Sequence, residues 1–321
     1  MNQELSFDVP YLCPCESTLP SVSCCFRNGQ FEMQRSLTVP TQPKTGQSRA
    51  DCYAASLRDC DDKLTREHVI SQKLLETLNS RGGLYMGGLR WLPEAPAYVP
   101  PNAVAAKVLC KRHNSALSSL DAMAARLFDA FDNPRSWKMG RQMDIFSGYD
   151  VERWLLKVLC GMLASRNVPP NFLDMDTTIP DEWVRILFGE AELAGRQGLY
   201  VCDSVVLNGP AAFAISLILD DARKATGLIF YLHGYQLMLS MEGLASDEIF
   251  EEIVFAYRPS QLRTTGGSFR KCVVLYWDAA DRAPMDILHF RFEAGQPLDP
   301  SIKLAMQRPT GPPSEKRRPK G

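Results

Sequence analysis

Apolar residues recur at helical spacing in three stretches of this chain. The spacing predicts helices over 114–131, 151–165 and 181–188, the last of them beginning after Pro180. A brief fourth helix is expected over 72–78. The first half of the chain also contains two short strand candidates, one that leads into Glu67 and one over 103–109.

Beyond Gly198 the pattern changes to short apolar runs separated by Asn-Gly, Asp-Asp and Gly-Gly pairs. Such runs between turn residues are typical of strands. The predicted strands cover 199–207, 212–219, 227–241, 271–277 and 287–292. The second half of the chain is therefore expected to contain helices followed by a mostly antiparallel sheet. The fold class predicted for the whole chain is α+β.

The chain is expected to divide into four parts. Residues 1–50 are rich in Pro, Ser, Thr, Gln and Gly, which predicts an irregular leader that contains several cysteines. Two domains should follow, at 51–135 and 136–306, since 321 residues suffice for two cores. Residues 307–321 carry Pro, Lys and Arg without apolar anchors, which predicts a disordered basic tail.

The net charge and the hydropathy of the chain argue against a global attraction to nucleic acid, against export and against a membrane span. The formal net charge is −1, so any nucleic-acid surface must be local rather than a property of the whole molecule. The first residues have neither the basic start nor the apolar run of a secretory signal, and the longest apolar stretches are too short to span a bilayer. We therefore expect a cytoplasmic protein with no membrane partner.

The ten cysteines are better explained as metal ligands or buried thiols than as a disulfide framework, because no export signal is seen. Cys160, Cys202 and Cys272 lie singly in apolar surroundings and are expected to be core residues. The other seven cluster in the first part of the chain; they are Cys13, Cys15, Cys24, Cys25, Cys52, Cys60 and Cys110.

Two short stretches contain the residues that could bind a metal or take part in catalysis. In Leu64-Thr-Arg-Glu-His-Val-Ile70 a carboxylate and an imidazole are adjacent, at Glu67 and His68. In Val108-Leu-Cys-Lys-Arg-His-Asn-Ser115 a Cys-x-x-His pair at metal-ligand spacing, Cys110 and His113, is followed directly by Asn114. Thiolate and imidazole at this spacing form half of a tetrahedral zinc site.

Together the two stretches resemble the halves of an HNH nuclease site, over about residues 52–131. The resemblance implies a small zinc-stabilised ββα-metal domain that hydrolyses phosphodiester bonds of DNA. It implies that His68 is the general base and that Glu67 and Asn114 bind a catalytic Mg²⁺ or Mn²⁺. Cys110 and His113 would hold a structural zinc ion.

The remaining zinc ligands depart from the family pattern. A Cys-x-x-Cys pair normally precedes the acid and the histidine, whereas here the nearby cysteines are Cys52 and Cys60, which are further apart. We assign both to the zinc site, and the leader cysteines remain an alternative source of ligands for this ion or for a second one. The family also has an asparagine in the strand before Cys110, and here the nearest is Asn102, a few residues early.

Several residues have plainer interpretations. Cys110 could be a buried thiol and Asn114 an ordinary helix N-cap. Asp121, on the helix after Asn114, could support a ligand or pair with a basic residue. Six basic residues near the site could contact phosphates or simply be solvated; they are Lys107, Lys111, Arg112, Arg126, Lys138 and Arg141.

The leading hypothesis is thus a metal-dependent HNH endonuclease regulated through residues 136–306 by a small molecule or a protein, by analogy with bacterial defence systems. A homo-oligomer is a further expectation. The alternative is a catalytically inactive zinc-stabilised module that binds nucleic acid or another ligand. A third interpretation is a small-molecule-binding scaffold governed by the second domain.

Overall fold

The computed structural model describes residues 12–15, 17–80, 85–86, 97–131, 140–168, 174–202, 206–207, 213–232, 235–244, 255–266, 269–278 and 287–293. The tail predicted over 307–321 and the first eleven residues of the leader lie outside the described residues. The mixed α+β class is confirmed.

The described helices are α1 (Gln72–Ser80), α2 (Lys111–Ala116), α3 (Ser118–Phe131), α4 (Gly148–Ser165) and α5 (Asp181–Leu187). The single helix predicted over 114–131 is divided at Leu117 and begins earlier, directly after Cys110. Helix α4 begins three residues before the predicted start, where the Ser147 hydroxyl accepts a hydrogen bond from the Asp150 backbone N–H at 3.3 Å.

The strands described in the first part of the chain are β1 (Phe26–Arg27), β2 (Gln30–Phe31), β3 (Leu64–His68), β4 (Tyr85–Met86), β5 (Ala97–Tyr98) and β6 (Ala105–Cys110). They form three two-stranded antiparallel sheets, β1 with β2, β3 with β6 and β4 with β5. Helix α2 follows β6 without a loop, so the β3–β6 pair and α2 form a compact unit.

The later strands are β7 (Gly140–Ser147), β8 (Gly198–Cys202), β9 (Val206–Leu207), β10 (Phe213–Leu219), β11 (Ala225–Leu232), β12 (Tyr235–Ser240), β13 (Phe255–Tyr257), β14 (Gln261–Gly266), β15 (Phe269–Tyr276) and β16 (Ile287–Glu293). They form two five-stranded sheets, in the orders β10-β11-β12-β8-β13 and β7-β15-β14-β16-β9.

The prediction of one mostly antiparallel sheet is therefore wrong for the second of these sheets. All pairs in the first are antiparallel, but β7 with β15, β14 with β16 and β16 with β9 are parallel. Parallel neighbours require a long crossover, and the chain between β7 and β15 includes α4 and the whole first sheet. Strand β7 was not predicted, because most of its residues are polar or Gly and the apolar pair Ile145 and Phe146 is too short to show a strand pattern.

Helix α4 lies at the centre of the molecule. All sixteen residues from Gly148 to Leu163 are buried, and the helix contacts α3, α5, β6, β8 and β11. One hydrophobic core runs from Cys52 through α4 to Phe290 and crosses the predicted boundary near residue 135 without interruption. Charged residues on α4 must therefore find buried partners.

One of these partners directly follows β13 of the first large sheet. Glu152 of α4 forms a bidentate ion pair with Arg258, at 2.8 and 3.1 Å, and accepts a hydrogen bond from the Leu199 backbone N–H at 2.8 Å.

Among the helices in the described part of the chain, none combines the length and apolar character needed to cross a membrane.

Candidate functional site

Four side chains with metal-ligating atoms meet at the junction of β6 and α2. They are Cys52, Cys60, Cys110 and His113, and their sulfur atoms and imidazole nitrogen all lie within 4.8 Å of one another. Each residue is at most 1% exposed, so the cluster is sealed from solvent. All four residues assigned to zinc from the sequence are thus brought together.

Local structure explains how Cys52 and Cys60 reach one point despite their separation. A 3₁₀ helix, Ala55–Leu57, follows Cys52, and Arg58 adopts a left-handed conformation that reverses the chain. The segment is fixed to β6 by the Tyr53 N–H, which donates to the Val108 carbonyl at 3.0 Å. A wide loop with a tight reversal, and not a Cys-x-x-Cys turn, therefore brings the two cysteines together.

The distances within the cluster match a tetrahedral metal site. The Nδ1 atom of His113 lies 3.2 Å from Cys110 Sγ, 3.5 Å from Cys52 Sγ and 3.9 Å from Cys60 Sγ. Sulfur and nitrogen ligands of a tetrahedral zinc ion lie about 3.5 Å apart, given Zn–S and Zn–N bonds of about 2.3 and 2.0 Å. The donor set, three sulfurs and one nitrogen, fits a zinc ion.

Burial supports the neutral imidazole that a metal requires. It lowers the pKa of His113, and the ring packs edge-on against Phe188 at 4.9 Å between centroids. Burial also raises the pKa of the Cys52 and Cys60 thiols. Burial alone therefore favours the protonated thiols. A bound cation would instead favour the thiolates, since coordinating thiols lose their protons.

An ion pair beside the cluster was not anticipated from the sequence. The Arg112 guanidinium contacts the Asp59 carboxylate through Nε and Nη2, each at 3.0 Å, and both side chains are less than 10% exposed. Asp59 precedes Cys60 and Arg112 precedes His113, so this pair joins two ligand-bearing segments. In the sequence, the only sign of this ion pair is that Asp59 and Arg112 each lie next to a candidate ligand.

His68 lies at the end of β3, outside the cysteine cluster. Its Nε2 atom is 3.3 Å from the Oδ1 atom of Asn102, which belongs to the 3₁₀ helix Pro101–Val104. Because an amide oxygen only accepts, Nε2 donates and Nδ1 is the nitrogen left to accept a proton. Partial burial lowers the pKa of His68, which favours the neutral base near pH 7. Asn102 therefore orients this imidazole through its side chain.

Glu67 lies next to His68 but has a different environment. The carboxylate is buried and forms an ion pair with Lys157 of α4, a residue that sequence reasoning missed. The Lys157 ammonium also contacts both carboxylate oxygens of Asp121, at 2.7 and 2.9 Å, and donates to the His68 carbonyl at 3.3 Å. Burial opposes the charge on Lys157, but the two carboxylates outweigh it and raise the pKa of this lysine.

The Asn114 side chain joins α2 to β3. Its amide nitrogen donates to the Thr65 hydroxyl at 3.0 Å and approaches the Arg66 carbonyl at 3.4 Å. These contacts lie where the β3–β6 register shifts, between Thr65 and Glu67. Asn114 is inside α2, whose N-cap is Cys110, so the N-cap interpretation of Asn114 is wrong.

The Glu67 carboxylate is not available to a catalytic divalent cation as the protein is folded, because it is paired with Lys157. The Asn114 amide nitrogen donates to Thr65 of β3. Among the described residues, the only groups of three or more potential Cys, His, Asp or Glu ligands are the cluster above and the leader cysteines. Asp121 pairs with a basic residue, which was one of its two predicted roles.

The predicted basic residues do not form one set. Lys107 and Lys111 are exposed, whereas Arg112 is paired with Asp59 and Arg126 donates to the Pro14 carbonyl at 3.3 Å. Lys138 and the side chain of Arg141 lie outside the described part of the chain.

Comparison with protein-family models, with curated proteins and with solved structures yielded no significant match.

Proposed function

We propose that this protein is an HNH-type endonuclease that hydrolyses phosphodiester bonds of DNA, with His68 as the general base. The observation that carries the proposal is the position of His68. It lies at the end of a strand paired with β6, the strand that ends at Cys110 of the cysteine cluster, and Asn102 holds its ring.

A structural zinc ion at Cys52, Cys60, Cys110 and His113 is part of the proposal. The donor set and the distances fit zinc, and such an ion would join β6, α2 and the 52–60 segment. The zinc ion would stabilise the β3–β6 pair on which His68 lies, and would have no part in the reaction.

General-base catalysis by His68 is supported by its tautomer and its pKa. Nε2 faces Asn102, so Nδ1 can remove a proton from water, and the lowered pKa keeps the ring neutral near pH 7. The exposed Lys107 on β6 and Lys111 on α2 are candidates for phosphate contacts.

A dependence on Mg²⁺ or Mn²⁺ is expected from the HNH resemblance. Lys157 already supplies a positive charge next to Glu67 and Asp121. A divalent ion could use these carboxylates only if the lysine moved away.

The same ion pair favours a second candidate function. If Lys157 permanently neutralises Glu67, the protein would keep the zinc-stabilised fold and bind nucleic acid without cleaving it. A buried lysine paired with Glu67, the carboxylate expected to bind the metal, is the specific observation behind this alternative. Regulation through residues 136–306 by a small molecule or a protein is compatible with either function.

The test is nicking of supercoiled plasmid DNA, with an RNA substrate in parallel, in Mg²⁺, in Mn²⁺ and in EDTA. Wild type should nick DNA, and His68→Ala should be about 10²–10⁴-fold slower, the usual contribution of a general base. His289→Ala is the matched control, because this histidine is exposed on β16, and it should cleave like wild type.

Equal cleavage by wild type and His68→Ala would exclude His68 from the mechanism. If neither protein cleaves under any metal condition while both bind DNA, the non-catalytic binding module is correct. Preferential cleavage of RNA would keep the mechanism and change the substrate.

A further inference from the structure

A second group of metal-ligating atoms lies in the leader. The sulfur atoms of Cys13, Cys15, Cys24 and Cys25 are all within 4.8 Å of one another. Cys15 Sγ is 3.5 Å from Cys24 Sγ, which is 3.6 Å from Cys25 Sγ. Four thiolates around one zinc ion are about 3.8 Å apart, given Zn–S bonds of about 2.3 Å.

The backbone of the leader brings these cysteines together. Leu12 and Pro20 form a bridge, and the Cys13 N–H donates to the Leu19 carbonyl at 2.8 Å, which closes a loop around Cys13 and Cys15. The 3₁₀ helix Ser21–Ser23 then turns the chain so that Cys24 and Cys25 return to the same point.

The segment after Cys25 is also sharply folded. Strands β1 and β2 form a hairpin whose turn residues, Asn28 and Gly29, both have positive φ. This is the Asn-Gly turn preferred by two-residue hairpins. The four cysteines thus lie in a defined loop-and-hairpin unit.

This unit has almost no hydrophobic core. Among the described residues of 12–31, only Cys13, Pro14 and Ser21 are buried. Three of its apolar side chains face solvent, with Leu12, Leu19 and Val22 exposed by 57%, 50% and 71%. Units of this size and composition need a covalent or metal crosslink to hold one structure.

A metal explains the cluster better than disulfides do. Four thiols converge on one point, as tetrahedral coordination requires, whereas a disulfide would pair the sulfurs two by two at about 2.05 Å. All four thiols are free in the structure, and sulfur-only ligand sets are typical of structural zinc.

We propose that Cys13, Cys15, Cys24 and Cys25 bind a second zinc ion, separate from the ion proposed at Cys110. The two groups of ligands share no residue, so the leader cysteines are not substitutes for Cys52 or Cys60.

The second ion fixes the leader against the mixed sheet. Cys15, Cys25, Phe31 and Met33 pack on a small buried cluster from β7 and β15, formed by Ile145, Cys272 and Val274. Arg126 of α3 also donates to the Pro14 carbonyl at 3.3 Å. Loss of the ion should therefore release residues 12–33 while the main core stays folded.

The test is zinc content per chain, by mass spectrometry, after saturation of reduced protein with zinc and removal of excess metal. Wild type should retain two zinc ions. The double variant Cys15→Ser/Cys24→Ser should retain one, and Cys110→Ser should also lose one, from the other site. Cys272→Ala, which removes a thiol beside the leader but outside both clusters, should keep two.

Cobalt(II) titration of wild type provides a measurement that does not depend on the folding of a variant. Two equivalents with thiolate-to-cobalt charge-transfer bands are expected, and the leader ion should exchange faster with a chelator, because three of its four cysteines are partly exposed. One zinc or cobalt equivalent in wild type, or an unchanged count in Cys15→Ser/Cys24→Ser, would overturn the leader site. If Cys110→Ser loses metal and Cys15→Ser/Cys24→Ser does not, the leader site is wrong, whereas the zinc site at Cys110 is supported.

Discussion

The ammonium group of Lys157 is fully buried between the carboxylates of Glu67 and Asp121. The ammonium offsets part of the negative charge of the two carboxylates, and the His68 carbonyl accepts a further hydrogen bond from the same group at 3.3 Å. A single side chain thus fixes the end of β3, the start of α3 and the middle of α4 relative to one another.

Replacing Lys157 by methionine should strongly destabilise the protein. Two carboxylates would then face each other, one of them buried without a partner, and breaking a buried ion pair typically costs about 3–5 kcal/mol. Urea denaturation would measure this as a lower transition midpoint. Adding Glu67→Gln to Lys157→Met should recover part of the loss.

Lys44→Met is a matched control for this prediction. Lys44 forms an exposed ion pair with Glu190 at 2.6 Å, and such pairs contribute at most about 1 kcal/mol. If Lys157→Met were no more destabilising than Lys44→Met, the buried network would not have the structural role described here.

The sequence identifies which residues could be metal ligands, but not which side chains contact Glu67 and His68. Cys110 and His113 are three residues apart, a spacing that is itself informative. Lys157 is 90 residues beyond Glu67 inside an apolar helix pattern, so nothing local marks it as the partner of a carboxylate. Asn102 was noted as the nearest asparagine, but its contact with His68 depends on the 3₁₀ helix Pro101–Val104.

The element that carries the proposed zinc site is α2 with the 52–60 segment. Outside the cluster, its two parts are joined by the Asp59–Arg112 ion pair. Partners of this kind position metal ligands, and their loss commonly weakens metal binding by about 10–100-fold.

Arg112→Ala should accordingly weaken zinc binding by about 10–100-fold while every ligand stays in place. Competition with a chromogenic chelator in a Cys15→Ser/Cys24→Ser background would measure the affinity of this site alone. Lys111→Ala, which removes an exposed charge from the preceding residue, should bind zinc like its parent. Equal affinities for the two variants would show that the ion pair does not support the site.

Most elements were predictable where apolar periodicity was strong. Helices α1, α4 and α5 and strands β10, β15 and β16 lie close to their expected bounds. The run expected as one strand over 227–241 is instead β11 and β12, which pair with each other in antiparallel register. In the sequence His233-Gly234 and Gln236 interrupt this apolar run. Periodicity adds no further sign of the division, since both strands are buried on both faces at most positions.

The whole molecule is organised around α4, which contacts elements on either side of residue 135. The apolar core, the Glu152–Arg258 pair and the Lys157 network all pass through this helix. The division into domains at 51–135 and 136–306 remains a prediction, but the two parts share one buried core.

A fragment of residues 51–135 should therefore not fold stably by itself. Without α4 it would expose the core face of α3 and leave Glu67 without Lys157. Circular dichroism and thermal melting with added zinc would show little cooperative structure, whereas residues 1–306 should melt in a single transition. A cooperative melt of the fragment would show that the first part is an independent domain.

The proposed zinc centre at Cys52, Cys60, Cys110 and His113 is the basis for interpreting the β3–β6 pair and His68 as a nuclease site. X-ray absorption at the zinc edge of the Cys15→Ser/Cys24→Ser protein tests it most directly, because only this site should then contain metal. We expect one zinc ion per chain with three sulfur ligands at about 2.3 Å and one nitrogen ligand at about 2.0 Å. Absence of bound zinc, or a shell made only of oxygen and nitrogen, would contradict the account.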